Sequence, residues 1–181
     1  MSMNPSIKRK IREHIDLIQG LLSDLATLLN EVPSHPFADY GLKEETPELF
    51  SFPHELDTIM EVAREYFPDP HKDHPVNPFA LMLAIREAEK GRAGLEFGIM
   101  HPKAIYTDLR TQAAWCAATI RANFTRFKNQ DQYADYVDFL GSRYAPAGAD
   151  NDPGNLNQHW PGNVRFFYER FHEAGEGGVR P

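Results

Sequence analysis

The stretch N-P-F-A-L-M-L-A-I-R-E-A-E-K-G-R-A-G-L-E-F-G-I-M, residues 77–100, decides the fold of this chain. Asn77 can cap a helix, and Pro78 suits the first helical position. The apolar run from Phe79 to Ile85 predicts a helix that is buried on almost every side, in the middle of a core. Acids and glycines follow it, and they predict a turn of irregular backbone directly after the helix.

The acidic residues at the end of this helix are candidates for a general acid. Glu87 and Glu89 lie in its last turn, and Glu96 lies in the glycine-rich loop that follows. Burial raises the pKa of a carboxyl group, so an acid at the end of a buried helix can hold a proton near neutral pH. Glu87 and Glu89 each continue a row of apolar side chains, and periodicity alone does not separate them.

The composition is typical of one globular domain with an appendage. The 181 residues are 41% hydrophobic and 12% aromatic, and the net charge of −7 argues against a general nucleic-acid surface. The single cysteine, Cys116, excludes an intramolecular disulfide. No run approaches the roughly 20 apolar residues of a membrane span. Because no apolar stretch follows the basic residues near the N-terminus, we expect no secretory signal.

Four segments are predicted along the chain. Residues 1–31 carry isoleucine and leucine at spacings of three and four, which predicts an amphipathic helix. That helix either packs on its own domain or, as a short coiled coil through residues 5–30, binds a second copy or a partner. The prolines of residues 32–53 indicate a linker or an irregular wrap. Residues 54–172 form the main domain, and residues 173–181 form a flexible tail.

The main domain is predicted to be helical. Beyond the central helix, the apolar periodicity and its stop signals predict helices over 54–67, 108–128, 132–143 and from about 163 onward. Thr107 and Asn163 are the predicted caps of two of them. No series of alternating strands occurs in the sequence. The fold class is therefore mainly α, with room for a small β-hairpin over 94–106.

The segment around His71 and His74 contains the residue types that bind zinc. Two residues separate the histidines, and Asp69 and Asp73 lie beside them. A metal-dependent hydrolase at this pair is one hypothesis. However, the spacing fixes no third ligand and the neighbouring prolines indicate a loop, so we expect a polar surface loop without metal. We also expect no cofactor.

Three segments carry a resemblance to a known family. A-I-R-E-A-E-K-G-R-A-G-L-E-F-G-I, residues 84–99, resembles the catalytic helix and following loop of the lysozyme-like superfamily, closest to its glucosaminidase and phage-encoded group. D-F-L-G-S-R-Y-A-P, residues 138–146, and L-N-Q-H-W-P-G-N-V, residues 156–164, resemble later parts of the same proteins. The resemblance covers about 75–171. Lys90 departs from it, because a small or amide residue is commoner at that position.

The resemblance implies a lysozyme-like helical domain that cleaves the N-acetylated glycan of the bacterial cell wall. It implies that Glu89 is the general acid, that Glu96 is a second polar residue and that Tyr144 lines the site. Asn157 and Asn163 can hydrogen-bond an N-acetyl amide, and the candidate aromatic walls for sugar rings are Tyr106, Tyr133, Tyr144 and Trp160.

The alternative is a non-catalytic structural or glycan-binding module of a phage-type particle. In either case we expect synthesis in the cytoplasm and delivery to the wall by a phage particle, a lysis system or a secretion apparatus.

Overall fold

A computed structural model describes residues 14–15, 18–19, 38–69, 72, 74–150, 152 and 154–172. The chain divides into two compact units, Met1–Pro36 and Phe37–Pro181. In the first unit, the four described residues are helical. The rest of the predicted amphipathic helix, the predicted tail, and His71 and Asp73 of the metal-site hypothesis lie outside the described residues.

The described part of the second unit is mainly helical, which confirms the predicted class. The α-helices are α1 (Thr46–Leu49), α2 (Leu56–Tyr66), α3 (Pro78–Glu89), α4 (Leu109–Lys128), α5 (Tyr136–Tyr144) and α6 (Trp160–Phe171). Short 3-10 helices cover Ala38–Tyr40, Pro53–Glu55 and Leu156–His159. Helix α3 packs mainly against α6, and α2 packs mainly against α4.

Helix α3 is the centre of the core, as its apolar run indicates. Every side chain from Phe79 to Ile85 is at most 1% exposed. Burying one Phe, Leu, Ile or Met side chain contributes about 1.5–3 kcal/mol to stability. The Asn77 side chain caps the helix by accepting hydrogen bonds from the backbone N–H groups of Phe79 (2.9 Å) and Ala80 (3.1 Å).

Residues 38–53 wrap around this core instead of separating it from another part of the chain. Leu42 is fully buried and forms an antiparallel bridge with His172, and the backbone N–H of Lys43 donates to the Phe171 carbonyl at 2.8 Å. The Asn77 side chain also holds this segment by donating to the Tyr40 carbonyl at 2.6 Å. The second compact unit includes these residues.

The segment 94–106, where the sequence allowed a hairpin, consists of turns. All of its residues are described, and none of them lies in a strand. A single hydrogen bond, from the Tyr106 N–H to the Gly94 carbonyl (2.8 Å), closes its base. Gly94, Gly98 and Tyr106 have φ values of 82°, 65° and 59°. These left-handed conformations bend the backbone out of the extended form that paired strands require.

Three helices begin at residues other than those predicted. Asp108, not Thr107, caps α4 by accepting from the Thr111 N–H at 2.7 Å. Asp135 caps α5, which therefore begins later than predicted. Helix α6 begins at Trp160, without a side-chain cap, because the preceding 3-10 turn continues directly into it. Asn163 is thus a residue inside that helix.

Candidate active site around Glu89

Glu89 is the last residue of α3, and the loop after it folds back over its side chain. The helix ends because Lys90 adopts a left-handed conformation with φ of 47°. Gly98, in the loop that follows, lies so close to the Glu89 carboxyl group that a Cβ atom built on it would be 2.3 Å from Oε2. Because Gly98 also has a φ of 65°, glycine is required there for both space and backbone conformation.

The carboxyl group of Glu89 is oriented by Trp160 from the beginning of α6. Trp160 Nε1 donates a hydrogen bond to Glu89 Oε1 at 2.7 Å. Because an indole nitrogen can only donate, Oε1 must act as the acceptor in this bond. A protonated Glu89 therefore carries its hydrogen on Oε2, the oxygen that faces Gly98.

Tyr144 completes the surroundings of this carboxyl group. Its ring stacks on Trp160, with centroids 5.2 Å apart, and its hydroxyl donates to the Phe97 carbonyl at 2.6 Å. A Cβ atom on Gly141 would lie 3.1 Å from Trp160 Cε3 and 2.8 Å from Pro161 Cγ, so glycine allows α5 and α6 to approach here. The two aromatic rings thus hold the loop and the carboxyl group in one arrangement.

Burial raises the pKa of Glu89, and the hydrogen bond from Trp160 opposes that rise. The nearest cation in sequence on the same helix, Arg86, does not compensate the charge. Its guanidinium group is buried and binds both carboxylate oxygens of Glu55, at 2.6 and 2.8 Å. Among the described residues, no cation forms an ion pair with Glu89. A partly buried carboxyl group in this state favours its protonated form.

A pocket of about 290 Å³ is lined by Gly98, the residue against Glu89 Oε2, and we call it the Gly98 pocket; Glu89 itself is not one of its walls. Its walls are Gly98, Ile99, Met100, His101, Trp115, Thr119, Arg143 and Tyr144. His101 stacks on Trp115 with centroids 4.3 Å apart, and its Nδ1 accepts from the Lys103 N–H at 3.2 Å. No carboxylate lines the pocket, and within the described chain none forms an ion pair with Arg143.

Gln112 on α4 fixes the loop that forms one wall of the Gly98 pocket. This side chain is fully buried, and its amide nitrogen contacts the carbonyl oxygens of Gly94 (3.2 Å), Ile99 (3.2 Å) and Ala104 (2.8 Å). Three points of a loop that lacks strands are therefore tied to one side chain. A rigid helix thus positions the residues that face Glu89.

The other two candidate acids, Glu87 and Glu96, are buried and accept hydrogen bonds from backbone N–H groups. Glu87 is 1% exposed, and its Oε1 accepts from the Ser51 N–H, which ties the segment before α2 to α3. Glu96 is 6% exposed and accepts from the Gly94 N–H at 2.9 Å inside the loop. Of the three acids, only Glu89 is partly exposed, and the assignment of the general acid stays a prediction.

The predicted sugar-binding residues do not all come together. Tyr144 lines the Gly98 pocket, and Trp160 is the hydrogen-bond donor to Glu89. Tyr106 is 68% exposed and does not line this pocket. Asn157 lines a different pocket between α5 and α6, where its amide donates to the Pro146 carbonyl at 3.1 Å.

Sequence reasoning did not identify His101, Trp115, Thr119 and Arg143 as pocket residues. They come from the loop, from α4 and from α5, and no spacing in the sequence links them. The one available signal was Gln112, a polar residue on the alanine-rich buried face of α4. A buried amide needs hydrogen-bond partners, so this residue could have pointed to a loop packed against that face, but we drew no prediction from it.

We also searched the described residues for a metal site, a cysteine nucleophile and a membrane-spanning helix. No group of three or more His, Cys, Asp or Glu residues among them could hold a metal ion. Cys116 is fully buried, and burial raises the pKa of its thiol above its ordinary value, which makes it a poor nucleophile. In the part of the chain that the structure describes, no helix is long and apolar enough to cross a membrane.

Comparisons with protein-family models, with curated proteins and with solved structures found no match to this chain.

Proposed function

We propose that this protein is a glycosidase that cleaves the peptidoglycan of the bacterial cell wall, with Glu89 as its general acid. The observation that carries the proposal is the state of the Glu89 carboxyl group. Burial raises its pKa, Trp160 occupies Oε1, and Oε2 faces Gly98, a residue that lines a pocket. The resemblance of residues 84–99 to the lysozyme-like catalytic helix supports the same residue.

The chemistry requires an acid in this state. Cleavage of a glycosidic bond needs a proton for the leaving oxygen, and the acid must hold that proton at the working pH. In this proposal, Glu89 Oε2 donates its proton to the glycosidic oxygen as the C–O bond breaks. The hydrogen bond from Trp160 then stabilises the resulting carboxylate.

The partner of the general acid follows from the lining of the Gly98 pocket. A retaining glycosidase normally has a second carboxylate close to the acid, and no carboxylate lines this pocket. The attacking group in this proposal is therefore water, giving hydrolysis, or a group of the substrate itself, giving an internal transglycosylation. Glu96 does not take this role, because it is buried inside the loop and accepts from the Gly94 N–H.

The composition of the Gly98 pocket suits an acidic amino sugar. Trp115 and Tyr144 supply aromatic surface, on which pyranose rings pack, and Arg143 supplies a cation. Peptidoglycan carries carboxylates on its lactyl groups and stem peptides. The guanidinium group of Arg143 can bind such a carboxylate in a bidentate geometry.

The test is the loss of turbidity of purified bacterial wall, measured with the wild type, Glu89→Gln and Glu87→Gln. Removing a general acid costs about 10²–10⁴-fold in rate. The Glu89→Gln change should therefore abolish clearing, since glutamine keeps an oxygen for Trp160 but has no proton to donate. The Glu87→Gln protein keeps an acceptor for the Ser51 N–H and should clear the wall normally. Full activity of Glu89→Gln together with loss of activity in Glu87→Gln would show that the acid is misassigned.

A second candidate function is a glycan-binding module without catalysis. The observation that favours it is the close cover of Glu89, with Trp160 on one oxygen and Gly98 against the other. Such a module would bind purified wall and release no new sugar ends. Under both candidates, we propose that a phage particle, a lysis system or a secretion apparatus delivers the protein to the wall, and residues 5–30 remain the predicted partner-binding segment.

A further inference from the structure

We propose that the glycan continues past Trp115 into a second sugar subsite on α4, lined by Tyr66, Trp115, Ala114 and Ala118. This inference rests on the proposed function for the identity of the ligand. It assigns a binding role to a surface formed by α2 and α4, which neither the sequence patterns nor the site around Glu89 indicated.

The second subsite is a pocket of about 380 Å³. Its walls include the aromatic rings of Tyr66 from α2 and Trp115 from α4, and Ala114 and Ala118 line it between them. These two alanines are four residues apart and therefore lie on the same face of α4. Their small side chains leave the space that a larger residue would fill.

Trp115 is shared by this pocket and the Gly98 pocket, because the residue lines both of them. His101, from the loop that carries Gly98, stacks on the Trp115 ring. A chain that has one sugar in the Gly98 pocket therefore reaches the second subsite across a single side chain. A glycan chain can occupy the Gly98 pocket and the second subsite at the same time only if the two adjoin each other.

The charges around the second subsite favour an uncharged sugar ring. Arg110 lines it, but its guanidinium group contacts the carboxylates of Glu61 and Glu65, the former at 3.2 Å. The two subsites therefore differ in charge. The Gly98 pocket contains Arg143, which forms no ion pair with a described carboxylate, whereas Arg110, the cation that lines the second subsite, is paired with Glu61 and Glu65.

The test uses the Glu89→Gln protein, so that binding is measured without turnover. Into it we introduce Ala118→Leu, which fills the second subsite, or Ala122→Leu, the matched control one turn further on the same helix. Ala122 is exposed and lines neither pocket. Leucine favours helix, so neither change disturbs α4 itself. Calorimetry then gives the Kd for soluble wall glycan chains and for the single disaccharide repeat.

We expect the long chain to bind more tightly than the disaccharide. Ala118→Leu should reduce the ratio of the disaccharide Kd to the long-chain Kd about tenfold. Ala122→Leu should leave it unchanged. Ala114→Leu, which fills the same subsite from the preceding turn, should repeat the effect and shows that the result does not depend on one variant. The proposal would be overturned by the same ratio of disaccharide Kd to long-chain Kd in Ala114→Leu, Ala118→Leu and Ala122→Leu.

Failure of the proposed function and failure of this inference give different results. If the wild type releases no sugar ends but Ala118→Leu and Ala114→Leu weaken chain binding, the glycosidase proposal fails and the subsite stands. If the wild type cleaves wall and both leucine variants bind chains like the Ala122→Leu control, the subsite fails and the glycosidase proposal stands.

Discussion

Replacing Gly98 with alanine tests the geometry of the site at a single atom. The new Cβ would lie 2.3 Å from Glu89 Oε2, well inside van der Waals contact, so the carboxyl group must move. Oε2 is the oxygen that carries the proton in the proposed mechanism. A displacement of about 1 Å at a reacting group can cost about 10²-fold in rate.

The same substitution also strains the backbone, and a control variant separates the two effects. Gly98 has a φ of 65°, and alanine in the left-handed region costs about 1–2 kcal/mol. Gly148 has a φ of 75°, but a Cβ built on it would have no atom within 4 Å. Gly148→Ala therefore introduces similar backbone strain without touching the site.

The assay combines urea unfolding with wall clearing for both variants. We expect Gly148→Ala to lose about 1–2 kcal/mol of unfolding free energy from backbone strain, and Gly98→Ala to lose more, because its Cβ also displaces the Glu89 carboxyl group. Only Gly98→Ala should lose wall-clearing activity, by about 10²-fold or more. If the Gly98→Ala and Gly148→Ala proteins clear wall at the same rate, the close approach of Gly98 to Glu89 has no role in the reaction and our interpretation of the loop is refuted.

Three further predictions concern Glu89, Trp160 and Arg143. Burial raises the pKa of Glu89 in the folded state above its value in the unfolded chain. Protonation of Glu89 therefore stabilises the fold fully at a pH below the unfolded-state pKa, and this contribution is lost as the pH rises through the folded-state pKa. As the pH rises, the unfolding free energy of the wild type should therefore fall relative to that of Glu89→Gln. The fall should be about 1.4 kcal/mol for each pH unit between the folded-state and unfolded-state pKa of Glu89. Parallel curves of unfolding free energy against pH for the two proteins would contradict this prediction. Trp160→Phe removes the hydrogen bond that lowers the Glu89 pKa, so the basic limb of the pH–activity profile should move to higher pH, and a move to lower pH would argue against this role. Arg143→Gln removes the proposed ion pair with a wall carboxylate, which at an exposed site is worth up to about 1 kcal/mol, so KM for wall should rise up to about fivefold with kcat unchanged. Arg126→Gln, an exposed control on α4, should leave both constants unchanged, and equal KM values in the two variants would exclude carboxylate binding by Arg143.

The sequence predicted the centre of this fold because the signals were local. The Asn77 cap, Pro78 and the apolar run to Ile85 act within one helix, and they gave the correct position of α3. The wrap by residues 38–53 was harder to predict, since Leu42 is buried by contacts with residues far away in the sequence. Proline content indicated the irregular backbone of this segment but not where it packs.

The site shows the same division between local and distant contacts. Periodicity could not separate Glu87 from Glu89, because both continue apolar rows of α3. The structure distinguishes them through partners that lie far apart in sequence: the Ser51 N–H for Glu87 and the Trp160 indole for Glu89. The left-handed residues of the loop, which replace a hairpin with turns, are also what bring Gly98 against the carboxyl group.

The central claim is that Glu89 is the general acid of a glycosidase. Mass spectrometry of purified peptidoglycan, digested in parallel with the wild type and with Glu89→Gln, tests it most directly. We predict that the wild type releases fragments with new reducing ends or anhydro sugar ends, and that the Glu89→Gln protein releases about 10²-fold fewer or none. Intact glycan after digestion with the wild type, or the same fragments at the same rate from both proteins, would contradict the claim.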